Sequence, residues 1–317
     1  MLSSYLPTNS SRLCPFISAS RAKLQWTSQL DFNMNPAKNQ NPVYLDHTGS
    51  HQLMASFIPH TADLDDPRDR GGNPCLLSIL ENAPENLPPP TPKVTHCQSW
   101  PTRHNGQAMI AVACYTASGQ SIRCCGHGLL AAAHSWLERL QCAELSLLMG
   151  GSVVHSWREQ AVTWLRFKRL SITPLPVPEW AEEVFPEQQP AITAAISDDE
   201  HGYLVMQWPD DFNLKQLEPL VQCLSANSRR ALICTSAHPS MGEDVIQLRY
   251  FAPQYGVDED PATGSAVRVL ADYWSQRFVS LTARQCSPSG GLLLARLTPG
   301  HVEVGGHCQA VERSNNA

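Results

Sequence analysis

Arg249 to Ala266 reads RYFAPQYGVDEDPATGSA, a strand, an acidic turn and a glycine-opened helix start in eighteen residues. Leu248, Tyr250 and Ala252 alternate as on a half-buried strand, and Pro253 and Gly256 break it. Asp258, Glu259 and Asp260 precede Pro261 at a helix N-terminus, and the helix is predicted from about Ala262 to Gln276. Thr263, Gly264 and Ser265 fill its first turn, so unpaired backbone N–H groups and one hydroxyl face a common point where the helix dipole favours negative charge. Asp260 stands beside that point as a candidate acid or base, and Thr263 and Gly264 as candidate binding residues.

A segment of the same build lies upstream. Ser121, Ile122 and Arg123 lead through Cys124 and Cys125 into Gly126, His127 and Gly128, and then into LLAAAHSWLERL at 129–140. Leu129, Leu130, Ala133, Trp136, Leu137 and Leu140 in this helix, and Val267, Leu270, Ala271 and Trp274 in the later one, leave few polar faces, so both helices need wrapping by other structure. The expected fold is α+β: two similar lobes, each a β-barrel-like antiparallel sheet around one central helix. The two helix starts then face a shared cleft able to hold a carboxylate.

EDPATGSA at Glu259 to Ala266, the preceding RYFAPQYGV, CGHG at Cys125 to Gly128 and GGNP at Gly71 to Pro74 together resemble the phenazine-biosynthesis isomerase family, PhzF-like proteins of the diaminopimelate-epimerase fold. The resemblance runs from roughly Gln52 to the C-terminus. It implies two lobes, a homodimer, and a reaction that moves a proton on a small carboxylate-bearing substrate with neither metal nor organic cofactor. It maps His127, Asp260 and Ser265 onto active-site positions. It also makes Asn73, Gly126, Gly128 and Gly264 pocket-shaping residues, and places Arg284, Gln285, Ser289, Gly290 and Gly291 near the dimer contact or the cleft. A histidine titrating near neutrality, a carboxylate and a hydroxyl are the groups that proton transfer needs.

One departure stands out. The phenazine enzyme carries its main acid/base on a glutamate in a Ser-Glu-Thr-like stretch between GGNP and CGH. This chain has Glu81 and Glu85 close to Asn73 and no other glutamate before Cys125. The nearest correspondence, His96-Cys97-Gln98-Ser99-Trp100, puts Gln98 at that position, where an amide exchanges no proton near neutral pH. Pro88, Pro89, Pro90 and Pro92 shorten or abolish the usual helix, which leaves Glu85 or Cys97 as other occupants. Racemases of related fold use a thiol on each helix start. Cys125 supplies one and the DEDPATGSA turn supplies none, so Cys125 is either half of a mixed Cys125/Asp260 pair or a small buried packing residue.

Hydrophobic residues make up 42% and charged ones 16% of the 317 residues, with net charge −6. That excludes a basic nucleic-acid surface and an acidic disordered tail, and a small-molecule site is the default. The eleven cysteines show no CxxC pair and no metal-ligand spacing, and with no secretory signal they read as reduced thiols of a cytoplasmic protein. No apolar run is long enough to span a bilayer.

Residues 1–45 hold Arg12, Arg21, Lys23 and Lys38 against Asp31 alone. They read as a disordered extension, an acid-poor targeting peptide or the product of a start placed ahead of Met34. The first lobe is expected over 46–172, opening with a strand at His51 to Ile58 and an acidic loop at Asp63 to Arg70. Strands are expected at Glu144 to Met149 and Val162 to Phe167. Pro174, Pro176 and Pro178 mark Ile172 to Trp180 as the interdomain crossing. The second lobe is expected over 173–304, with strands at Gly202 to Trp208 and Arg230 to Thr235 and a helix over Asn213 to Leu224. A last strand, Val302 to Val311, returns the 305–317 block to the first lobe.

His134 and the tryptophans Trp100, Trp136, Trp164 and Trp274 read as packing residues, His96 as a surface residue or a substrate donor, and Glu259 as a solvated turn residue. Two functions remain open. One is a cofactor-independent isomerase or epimerase using His127, Asp260 and Ser265. The other is a relative that kept the anion site, lost the base, and binds a small carboxylate or only dimerises.

Overall fold

The computed structural model describes residues 44–46, 49–59, 71–88, 94–186, 190, 192–196, 202–219 and 221–311. The Asp63 to Arg70 loop, Pro89 to Pro92 and all of 1–45 except Tyr44 and Leu45 lie outside them. The architecture is one large, mostly β sheet with few helices.

Strand β1 (Tyr44–Asp46) pairs with β2 (Gly49–Ser56), which runs antiparallel to β3 (Asn73–Leu80). Strand β3 lies parallel to β4 (Thr95–His104), and β4 antiparallel to β5 (Gln107–Tyr115). Asn105 and Gly106, at φ 49° and 78°, make the two-residue β4–β5 turn, the Asn-Gly pairing whose twist suits a hairpin. Strand β5 holds β6 (Ser121–Ile122) and β7 (Glu144–Met149), and the ladder continues through β8 (Ser152–Glu159) to β9 (Val162–Lys168).

Helix α1 (Gly126–Leu140) lies against β2, β3, β4, β7, β8 and β9. Every residue from Gly126 to Leu137 is buried, as its lack of a polar face requires. Burial of each large side chain, such as Leu129, Leu130 and Trp136, contributes about 1.5–3 kcal/mol. The helix stops at Gln141 in left-handed conformation, where the Gln141 and Cys142 amides close back on Glu138 and Leu137.

The chain then forms β10 (Ile172–Leu175), α2 (Ala181–Val184), β11 (Ile192–Ile196), β12 (Tyr203–Gln207), α3 (Val221–Asn227), β13 (Ala231–Ala237) and β14 (Val245–Phe251). Helix α4 (Gly264–Tyr273), β15 (Ser280–Gln285), β16 (Gly291–Thr298) and β17 (His301–Gly306) complete the second set. Helix α4 packs on β15, β16 and β17. Strand β17 is the junction of the sheet, antiparallel to β16 on one side and to β9 on the other. Glu303, almost fully buried on β17, accepts from Arg166 of β9 at 2.7 Å and Arg296 of β16 at 2.6 Å, locking the three strands together. After His307 the chain continues as β18 (Cys308–Ala310), paired with β2.

Four expectations about elements need correction. The helix over Asn213 to Leu224 is instead a 3-10 turn at Leu214–Gln216 and the separate α3, because Pro219 offers no N–H and pushes its predecessor out of helical backbone. The supposed crossing at Ile172 to Trp180 begins as β10, which pairs with β11 despite Pro174. The single strand Val302 to Val311 is split at His307. Helix α4 is shorter than Ala262 to Gln276: it starts at Gly264, where side chains from β3 and β15 engage the Ala262 carbonyl and the Thr263 amide, and it ends at Tyr273.

Candidate active site

The two long helices begin in the same way. Cys125 and Thr263 are their N-caps, both in extended backbone and neither with a side-chain cap bond. A Cβ on Gly126 would stand 2.8 Å from the Gly264 Cα, and one on Gly264 would stand 3.2 Å from the Gly126 Cα and 2.7 Å from Phe57 Cζ. The helix starts therefore meet backbone against backbone, which only glycine at both positions allows. Two positive dipole ends converge there, and an anion is the natural counter-charge.

Asp260 and His127 enter this junction from the two helix approaches. The Asp260 carboxylate accepts the Asn73 amide at 3.0 Å and the Thr263 hydroxyl at 2.5 Å, and Asn73 also donates to the Ala262 carbonyl at 2.8 Å. Gln285 of β15 fixes the surrounding backbone, accepting from the Thr263 amide at 2.7 Å and donating to the Asp260 carbonyl at 2.5 Å. Sequence resemblance placed Gln285 only near the cleft or dimer contact; its role as a clamp depends on a strand pairing that sequence does not display.

Burial pushes the Asp260 carboxyl above the usual carboxylate range, against the opposing charge of His127 and the bonds from Thr263 and Asn73. Burial pulls the His127 imidazole down, yet the charge of Cys125, its hydrogen bond and the charge of Asp260 together outweigh burial, and the ring's pKa rises to about 9. The Cys125 thiol is held well below its ordinary value, first by a hydrogen bond from Cys114 and then by His127, in spite of its burial. Its sulfur lies 3.7 Å from each ring nitrogen of His127. The Ser56 hydroxyl pins the His127 carbonyl at 2.9 Å.

Ser265 sits half-buried in the first turn of α4, where it favours ionisation of the Tyr203 hydroxyl; burial dominates there and carries the Tyr203 pKa up to about 12. Tyr203 and Tyr250, with ring centroids 6.5 Å apart, stand near this turn. In the sequence Tyr203 reads as an ordinary strand residue, and Tyr250, though within RYFAPQYGV, as a half-buried strand position. Gly128 completes the first turn of α1 and takes Cys97 Sγ at 3.5 Å on its carbonyl.

Gln98 does not join the group. Strand residues alternate between faces, and Cys97 reaches Gly128 while Ser99 accepts the Trp136 indole N–H at 2.9 Å, so these two face α1. Gln98 and His96 face the other way, with His96 bonded to Ser78 at 2.8 Å. The Gln98 Oε1 is buried without a hydrogen-bond partner. Glu81 and Glu85 are both exposed, which leaves Cys97 as the one of these candidates turned toward α1. The reading of Glu259 also changes: it is no solvated turn residue but half-buried and held by Nε and Nη2 of Arg249 at 2.7 and 2.8 Å.

His134 bonds Thr163 at 3.3 Å and lies 3.5 Å from Glu138 along α1. Trp274 donates to Thr235 at 3.2 Å, and Trp164 stacks on Trp157. Among the described residues no group of three or more His, Cys, Asp or Glu is arranged to hold a metal, and no helix is long and apolar enough to cross a membrane.

Comparison with known proteins bears on the family and the fold. Relatives include a Pseudomonas aeruginosa protein named an uncharacterized isomerase, 54% identical over 65 residues, a match spanning 20% of this chain and 25% of that protein. An uncharacterized isomerase of Halalkalibacterium halodurans is 30% identical over 207 residues, 60% of this chain and 72% of the relative. The crystal structure of a PhzF-family phenazine biosynthesis protein from Enterococcus faecalis superposes with a TM-score of 0.66 at 19% identity, covering 84% of this chain and 97% of that one. A putative PhzC/PhzF protein from Clostridium difficile gives 0.64 at 18%, covering 84% and 98%. The family model described as PhzC-PhzF, phenazine biosynthesis-like protein, matches residues 114–313, and the chain belongs to that family.

Proposed function

We propose that the chain is an isomerase that moves a proton on a small carboxylate-bearing metabolite, without a cofactor, at the junction of the α1 and α4 starts. The observation that carries this reading is the delivery of His127 and Asp260 to one point by two helix starts in backbone contact at Gly126 and Gly264. The substrate carboxylate rests on backbone N–H groups of the two first turns and on the Ser265 hydroxyl, with Gly126 and Gly264 allowing the two helix starts to meet. Asp260, made more basic by burial, takes the proton from carbon. His127, still protonated at neutral pH, returns one to the neighbouring position. Cys125 supports the imidazolium as a thiolate and is a second candidate base. Two lobes of the epimerase type, 46–172 joined by β18 and 173–304, assembled as a cytoplasmic homodimer, belong to the same reading.

Incubation with a panel of small carboxylic and amino acids in deuterated water, followed by mass spectrometry, tests it. Deuterium entering one compound with wild type, but not with His127→Ala or Asp260→Asn, is the expected result. The alternative, a carboxylate-binding relative without catalysis, rests on the lack of any glutamate facing α1 among the described residues between Asn73 and Cys125. It is favoured if a compound binds and exchanges nothing.

A further inference from the structure

Three sulfurs converge on the first turn of α1. A Cβ placed on Gly128 would stand 2.5 Å from Cys114 Sγ, 3.0 Å from Cys125 Sγ and 3.5 Å from Cys97 Sγ. The Cys114 and Cys125 sulfurs are thus no farther apart than the sum of the first two distances, and they share a hydrogen bond in which the Cys114 S–H donates. Cys125 also has the imidazole of His127 at 3.7 Å and the positive end of α1. A cationic ring, a helix start and a thiol donor are the surroundings that keep a cysteine ionised and nucleophilic. A nucleophilic thiol with a second thiol in reach is the arrangement that turns oxidation into a reversible disulfide.

We propose that Cys125 is a peroxide-reactive cysteine and Cys114 its resolving partner. The Cys125 thiolate attacks one oxygen of hydrogen peroxide; an S–O bond forms, the O–O bond breaks, and the departing hydroxide takes a proton from the His127 imidazolium to leave as water. The Cys114 sulfur then attacks the resulting sulfenic acid; an S–S bond forms, the S–OH bond breaks, and the hydroxide leaves as a second water with the Cys114 proton. The two sulfurs lose two electrons and the peroxide gains them. Both thiols are buried, so bulky disulfides are kept out and the oxidant the proposal names is one as small as hydrogen peroxide. Of the buried thiols outside this cluster of three, Cys75, Cys234, Cys286 and Cys308 have their pKa values raised chiefly by burial. This site goes beyond the isomerase reading and does not rest on it.

The test is mass spectrometry of the full chain after equimolar hydrogen peroxide, followed by non-reducing peptide mapping. The expected result is a loss of about 2 Da, the two thiol hydrogens, with one Cys114–Cys125 cross-link that dithiothreitol reverses. In Cys114→Ser, Cys125 should instead carry a sulfenic acid, trapped by dimedone present as the chain is unfolded for mapping. No cross-link at full peroxide consumption, or a link mapped to any other pair including Cys97–Cys114, overturns the proposal. The wild-type map decides even if the variant does not fold, and because the readout is mass, it holds whether or not isomerase activity is found.

Discussion

Asn73 and Asp260, 187 residues apart in sequence, are joined by an amide-to-carboxylate hydrogen bond of 3.0 Å. The bond favours the ionised carboxylate against the burial that opposes it. Asn73→Ala removes a hydrogen bond to a charged group, worth about 1.5–3 kcal/mol, or about 1–2 pH units. The acid limb of the pH profile for solvent exchange should move up by that amount. An unmoved limb would take Asp260 out of the base role.

His127 should be an imidazolium at neutral pH. Its folded pKa of about 9 lies above the unfolded value of about 6.5. The sign of the linkage follows: its contribution to stability is present in full below about pH 6.5 and is lost as pH rises through about 9. Denaturant midpoints of wild type and His127→Gln, compared across that window, should differ most at its acid end and converge at its alkaline end. A constant difference would show that folding leaves the ring's titration unchanged.

Gly126→Ala should separate the helix starts. Its methyl would stand 2.8 Å from the Gly264 Cα, and backbone, unlike a side-chain tip, cannot swing aside. Overpacking of this kind costs about 1–3 kcal/mol. Thermal denaturation should show the loss, and exchange activity should fall further than stability, since His127 and Asp260 reach the junction on the two elements being pushed apart. Wild-type exchange in a folded Gly126→Ala protein would count against a site at this contact.

The helix starts were legible because their signals are local. CGHG and DPATGSA each set a glycine turn ahead of an apolar run, and the chain folds at those points as α1 and α4. Pairing was not legible. Nothing near Gln285 says that β15 will lie beside β14 and bring its amide to Thr263, and nothing near Glu259 says that Arg249, ten residues earlier, will turn back to hold it. Prolines misled in both directions: Pro174 was compatible with β10, and Pro219 divided what the Leu214, Leu217, Leu220 and Val221 spacing presented as one helix.

The face of β4 was the costliest ambiguity, because a shift of one residue moves a side chain to the opposite side of a sheet. Alignment to a Ser-Glu-Thr-like stretch pointed to Gln98, whereas the contacts turn Cys97 and Ser99 toward α1 and Gln98 away from it. The variants of these neighbours should therefore behave oppositely. Gln98→Leu removes a buried carbonyl oxygen that has no partner, a group whose burial costs about 1–3 kcal/mol, so the melting temperature should hold or rise and solvent exchange should be unchanged. Cys97→Val puts a branched side chain beside the Gly128 carbonyl and the Cys114 and Cys125 sulfurs, and should lower exchange by disturbing the thiolate beside His127. If Gln98→Leu abolishes exchange while Cys97→Val leaves it intact, the amide belongs to the site and the facing of β4 in solution is the reverse of the one described.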